Sequence, residues 1–212
     1  MMKIIRSIAG KVLMFCIMFA VVPVKSHAQW NPAKAHCIID WQMNAPIGTG
    51  FVEKISGWGM NFEGTYDITP HWALGAFVNF HTNRKYIDRQ TIALSPTEAL
   101  TTDQQRSAFQ LPFGLTTSYN LRPGRVFRPY VGAKMGAMFA RNTTYFGING
   151  RYDEGWGFYV SPEIGLKIHP FRHCRLGFHI AGFYNYATNH TRILLGEVDG
   201  QSDLGFRLGV IF

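Results

Sequence analysis

The chain has 212 residues and a mass of 24.0 kDa, enough for one domain with a single core or a closed barrel. The formal charge of +8, which falls to +4 without the first 28 residues, is too mild and too dispersed to argue for a nucleic-acid-binding protein.

Residues 1–28 read as a secretory signal peptide. Lys3, Arg6 and Lys11 form a basic start, 12–22 an apolar run, and Ser26-His27-Ala28 a small-residue end before Gln29. The run is too short for a spanning helix, and Cys16 inside it lacks the neighbours of a lipid-anchor site. Residues 29–212 are then the mature domain. Losing the leader's four basic residues, with Lys25 among them, and none of the 13 acids leaves a charge of +4. Cys37 and Cys174 remain; their spacing implies neither a metal site nor a disulfide. No later segment has the apolar length of a membrane helix, so any membrane crossing is made by strands.

Beyond the leader, apolar and polar residues alternate with period two. In 37–44, Cys37, Ile39, Trp41 and Met43 oppose Ile38, Asp40, Gln42 and Asn44. In 58–68, Trp58, Met60, Phe62, Tyr66 and Ile68 oppose Asn61, Glu63, Thr65 and Asp67. Thr69-Pro70-His71 is a tight turn, and 72–80 sets Trp72, Leu74, Ala76, Val78 and Phe80 on one side. After a polar stretch, 109–119 places Phe109, Leu111, Phe113, Leu115 and Tyr119 against Gln110, Thr116 and Ser118. Arg122-Pro123-Gly124-Arg125 turns the chain. In 130–140, Val131, Ala133, Met135, Ala137 and Phe139 face outward and Lys134 inward. In 158–168, Phe158, Val160, Ile164, Leu166 and Ile168 oppose Tyr159, Ser161, Glu163 and Lys167. In 176–186, Leu176, Phe178, Ile180, Tyr184 and Tyr186 share a face. The last stretch sets Leu204, Phe206, Leu208, Val210 and Phe212 against Gly205, Arg207 and Gly209.

The spacing predicts an all-β fold: an eight-stranded antiparallel up-and-down transmembrane β-barrel. Its connections alternate long and short, at 45–57, 69–71, 81–106, 121–128, 142–156, 169–174 and 187–203. A soluble, lipocalin-like periplasmic binding barrel would share the strand count but line its cavity with the apolar faces. Aromatic residues at strand ends favour the lipid-facing arrangement, with Trp58, Tyr66, Trp72, Tyr119, Tyr130, Tyr184 and Phe212 as membrane-interface anchors. In this register Asp40, Glu63, Lys134, Glu163, Lys167 and Arg207 point into the lumen, three acids and three bases. Strand adjacency predicts Arg207 beside Asp40 and Glu63, and Lys134 beside Glu163. A buried charge must be paired, so these residues read as a network filling the interior, with a gate or proton path as the alternative. Pro112 and Pro162 each remove a ladder donor, which predicts bulges or displaced strand ends there.

The runs Phe62-Glu63-Gly64-Thr65-Tyr66-Asp67-Ile68-Thr69-Pro70, Pro129-Tyr130-Val131-Gly132 and Ser161-Pro162-Glu163-Ile164-Gly165, with the Phe212 end, resemble small outer-membrane barrels of the OmpA/OmpX-like superfamily. The closest likeness is to Bacteroidetes-type versions. The resemblance covers nearly the whole mature chain and implies a bacterial outer-membrane location. It also implies that the barrel-assembly machinery reads the last strand and its terminal aromatic. Outer-membrane lipids are the surrounding partner, and the loops are the place for an unknown extracellular one.

The eight histidines include no pair with zinc-motif spacing, and no Ser/His/Asp constellation stands out. Neither an enzyme nor a cofactor site is expected. The short turns carry Arg122, Arg125, Arg128, Arg172 and Arg175 without an acid, a rim suited to anionic head groups. The expected role is structural or in surface interaction through the loops, with a narrow solute channel as the runner-up.

Overall fold

A computed structural model describes residues 31, 34–47, 52, 54–95, 98–146, 149–170, 176–193 and 196–212. Eight antiparallel strands form one closed barrel in chain order: β1 (Ala35–Ile47), β2 (Ser56–Asp67), β3 (Trp72–Ser95), β4 (Glu98–Asn120), β5 (Phe127–Phe146), β6 (Asn149–Ile168), β7 (Gly177–Ile193) and β8 (Gly196–Ile211). β1 closes on β8, Ile39 facing Val210 and Trp41 facing Leu208. Phe212 extends that seam by exchanging backbone hydrogen bonds with Cys37, at 2.8 and 3.1 Å. Closure leaves no unpaired edge, the condition for a sheet to sit in hydrocarbon.

The alternation sorts the two faces. Phe62, Leu74, Leu115, Ile164, Phe206 and Leu208 are exposed on the outer wall, whereas Asp40, Asn61, Glu63, Lys134 and Arg207 are buried inside. A water-soluble domain does not expose a continuous apolar belt of that size. The inside-out ambiguity therefore resolves toward lipid, and the lipocalin-like alternative is excluded.

Two expectations from the sequence are corrected. The polar stretches at 81–106, 142–156 and 187–203 are strands for most of their length. β3 and β4 have 24 and 23 residues and β5 and β6 have 20 each, against 13 and 12 for β1 and β2. A membrane crossing needs only about ten. β3 continues from Phe80 to Ser95, which at ~3.3 Å per residue and a tilt near 40° lifts its hairpin roughly 35 Å above the aromatic girdle. Above the bilayer both faces meet water, so the ladder continues without apolar alternation, held by pairs such as Thr91 and Thr101, whose hydroxyls lie 2.8 Å apart.

Second, neither proline makes a bulge. Pro112 faces Met138 and Pro162 faces Ala133 with the register of each pair unbroken. On their other sides the ladders skip two pairs and resume in the same register, from Val78–Phe113 to His81–Gln110 and from Val160–Tyr186 to Glu163–Phe183. Each missing N–H thus interrupts one ladder locally, and neighbouring hydrogen bonds hold the strands in place. The short turns lie opposite the tall hairpins. Gly124, at φ +75°, supplies the left-handed residue that the Pro123-Gly124 turn needs.

Candidate functional site

The lumen carries the chemistry. All six charged residues assigned to it lie inside, and the barrel's stagger decides which of them meet. Lys134 faces Thr116, which faces Gly75, which faces Thr65, so Lys134 lies one inward position from Glu63 across two small side chains. On its other side it faces Ser161, one inward position from Glu163. Its ammonium bridges both acids, at 2.7 Å to Glu63 and 3.1 Å to Glu163.

Arg207 departs from the adjacency argument. It faces Gln42 on β1, and Asp40 faces Gly209. Through β7, Glu163 faces Phe183 and Phe183 faces Gly205, so Glu163 sits one inward step from Arg207. The guanidinium reaches across the small Ala181 position to Glu163, 2.5 Å away, rather than to Asp40 or Glu63. Its Nε donates to Gln42 Oε1 at 2.8 Å, and the Phe183 ring lies 4.0 Å from its carbon. Gly209 leaves the space Asp40 fills: a Cβ there would crowd its carboxylate.

Asp40 instead takes His179, whose Nδ1 lies 2.7 Å from it, and the amide of Asn61 at 2.9 Å. His179 Nε2 lies 2.6 Å from the Tyr130 hydroxyl, which donates to Glu163 Oε1 at 3.1 Å. One phenol proton cannot serve both Glu163 and His179. The two contacts therefore share the phenol oxygen, and His179 links Asp40 to Tyr130 and Glu163. The layer sets three acids, Asp40, Glu63 and Glu163, against three basic residues, Lys134, Arg207 and His179.

Tyr130 is therefore not a membrane-interface anchor. It shares the inward parity of Lys134 on β5 and is 1% exposed. The correction follows from period two, which outweighs the residue's position at a strand end. Trp58, Trp72, Tyr119, Tyr184 and Phe212 are exposed on the outer wall, and Tyr66 is half-buried on the outward face of β2. Trp72 and Tyr119, opposite one another, meet edge to face at 5.1 Å. Lys167 stands apart from the ion layer: its ammonium is 3.4 Å from Ser118 Oγ and 4.7 Å from the Tyr130 ring centroid. Among the described residues no carboxylate comes within ion-pair distance of it.

Above the ion layer, Phe77, Met138, Ala140, Tyr159 and Ala187 form an apolar collar across the lumen. Higher still, His81 and Asp203 lie 3.5 Å apart among buried amides. On the outer wall, Arg141 and Glu154 pair at 2.6 Å, half exposed, with Arg141 also over Tyr152 at 5.6 Å. On the β3–β4 hairpin, Asp103 beside Tyr86 holds that phenol above its ordinary range. Arg172, His173, Cys174 and Arg175, and residues 1–28, expected from the sequence to be a signal peptide, lie outside the described residues. Among the described residues no cluster of His, Cys, Asp or Glu is arranged to hold a metal.

An apolar outer belt, aromatic borders and a sealed polar lumen define a membrane-spanning β-barrel. The chain belongs to the outer membrane protein beta-barrel domain family, whose model matches residues 14–212, and it is a protein of the bacterial outer membrane. Among solved structures it is similar to Neisserial surface protein A, at 12% identity over 84% of this chain and 96% of that one, with a TM-score of 0.53. It is also matched to the attachment invasion locus protein Ail of Yersinia pestis, solved with the heparin analogue sucrose octasulfate (15% identity, 84% and 97% covered, TM-score 0.47). A third is OprG of Pseudomonas aeruginosa (11% identity, 84% and 93% covered, TM-score 0.45). At these identities the likeness is one of fold, and it rests on the first of the three. No curated protein sequence matches the chain.

Proposed function

We propose that this protein is a structural, surface-presenting barrel whose tall hairpins meet an extracellular partner. The observation that carries the reading is the contrast between a lumen closed twice over, by ion pairs and an apolar collar, and a wall that rises well above the membrane. That wall offers Tyr86, Tyr145, Tyr152 and the Arg141–Glu154 pair to the outside. Rigid strands presenting aromatic and charged side chains suit binding, because little conformational entropy is lost on contact. Residues 1–28 serve as the export signal, lipids surround the belt, and the β8 strand ending at Phe212 is the part offered to the assembly machinery. No catalytic role is proposed.

A narrow channel is the second reading. Above the collar, Asn83, Gln104, Asn189 and Gln201 carry buried polar atoms without protein partners, as in a wet vestibule. The experiment compares proteoliposomes of the whole protein with a variant in which 86–103 is replaced by a two-residue turn. The panel is immobilised extracellular glycoproteins and polysaccharides. The proposal expects saturable binding that the shortened variant loses while its barrel still shifts on heating in gels, together with no stepwise bilayer conductance. Binding that survives the deletion, or stable conductance by the whole protein, refutes it.

A further inference from the structure

We propose that the turn-side mouth of the lumen is an oxyanion site, taking a phosphate group between Lys167, Arg128, His36 and His169. These side chains line a recess that admits one water-sized group at its enclosed end and measures about 270 Å³ with its open mouth.

Donors outnumber acceptors around it. Lys167 is 7% exposed, yet among the described residues its three ammonium protons find only Ser118 Oγ and the face of Tyr130. A cation that buried is costly unless an anion accompanies it. Arg128 donates its Nε to the carbonyl of Arg125 at 3.0 Å. Asp67, the only carboxylate among the described residues lining the recess, is already held by His36 Nε2 at 3.1 Å. Among the described residues, His36 Nδ1 and both ring nitrogens of His169 are buried without a hydrogen-bond partner, the two rings lying edge to face at 6.4 Å. Four groups able to donate thus converge with no free carboxylate, a pattern that calls for an acceptor-rich anion.

The groups facing His169 are Arg128 on β5, His36 on β1, Lys167 on β6 and Asp67 on β2. Burial first, then the charges of Arg128, His36 and Lys167, push its imidazole down to about 4. A bound phosphate opposes those charges, so binding raises the imidazole's proton affinity, and protonation tightens binding by the same factor. Phosphate free in solution and phosphate on a lipid head group folded over the rim share this chemistry.

The test uses the whole protein, labelled at histidine, in uncharged phosphate-free detergent, titrated with inorganic phosphate at constant ionic strength. The His169 ring resonances are expected to shift saturably and its pKa to rise from about 4. Lys167→Met, which removes a cation having no carboxylate partner, is expected to weaken binding at least tenfold without lowering the melting temperature. In phospholipid nanodiscs, resonances already shifted before phosphate is added identify the lipid as the source. Unshifted resonances that respond to phosphate identify the free ion. A shift that never saturates in detergent, or one that is unchanged in Lys167→Met, overturns the proposal.

Discussion

Two arginine–glutamate pairs of nearly equal length test what holds the lumen shut. Arg207 and Glu163 lie 2.5 Å apart with side chains 0% and 2% exposed, whereas Arg141 and Glu154 lie 2.6 Å apart at 51% and 40%. Glu163→Gln keeps the shape and removes one charge. Lys134 retains Glu63 at 2.7 Å, so the loss falls on Arg207, left with Gln42 and the Phe183 face and without a carboxylate. Stripping one partner from a buried pair costs about 3–5 kcal/mol. The same change at Glu154, where water screens the pair, costs about 0–1 kcal/mol. Urea unfolding of the protein in lipid vesicles, followed by tryptophan fluorescence, measures both. Adding Arg207→Met to Glu163→Gln is expected to recover much of the loss, since the stranded cation disappears with it. If Glu163→Gln costs no more than Glu154→Gln, or if the second substitution recovers nothing, the lumen is not closed by a desolvated ion network.

Other substitutions probe the remaining parts of the fold. Ile164→Arg, on the lipid face of β6, is expected to cost about 2–4 kcal/mol in the same unfolding assay if it sits near the bilayer midplane; a neutral result would deny the belt. Tyr130→Phe strands His179 Nε2 and Glu163 Oε1 and is expected to cost about 1–3 kcal/mol, while Tyr119→Phe on the outer wall stays within about 0.5. Equal costs would put Tyr130 back at the interface. His169 binds its proton more weakly folded, near 4, than at the ordinary 6.5, so the unfolded chain takes up more protons between those values. Stability is therefore lost as pH falls from 6.5 toward 4, and His169→Gln should flatten that slope in melting curves recorded across the window.

How far the sequence reveals this molecule depends on what each residue answers to. Where a strand separates lipid from a packed lumen, every second side chain is constrained. Phe62 against Glu63 and Phe206 against Arg207 are therefore legible from alternation alone. Once a strand leaves the bilayer that constraint lapses. The ladder from Arg84 to Ser95 continues because β4 pairs with it throughout, its register shifting between Ile87 and Gln90 and between Ala93 and Ser95, and nothing in its composition distinguishes it from a loop. Tyr130 shows a conflict of two signals: an aromatic at a strand end suggests an interface, while parity with Lys134 sends it inward, and parity wins because the backbone enforces it. The pairing of lumen charges was the least legible. It depends on the stagger between strands, which places Glu163 level with Gly205 and so within reach of Arg207, and on the small residues Thr116, Gly75 and Ala181 that leave the paths open. Stagger arises from the closure of all eight strands at once. Counting charged residues could establish that the interior holds as many bases as acids, but identifying His179 rather than Lys167 as the third basic residue of the layer required knowing which side chains share a level.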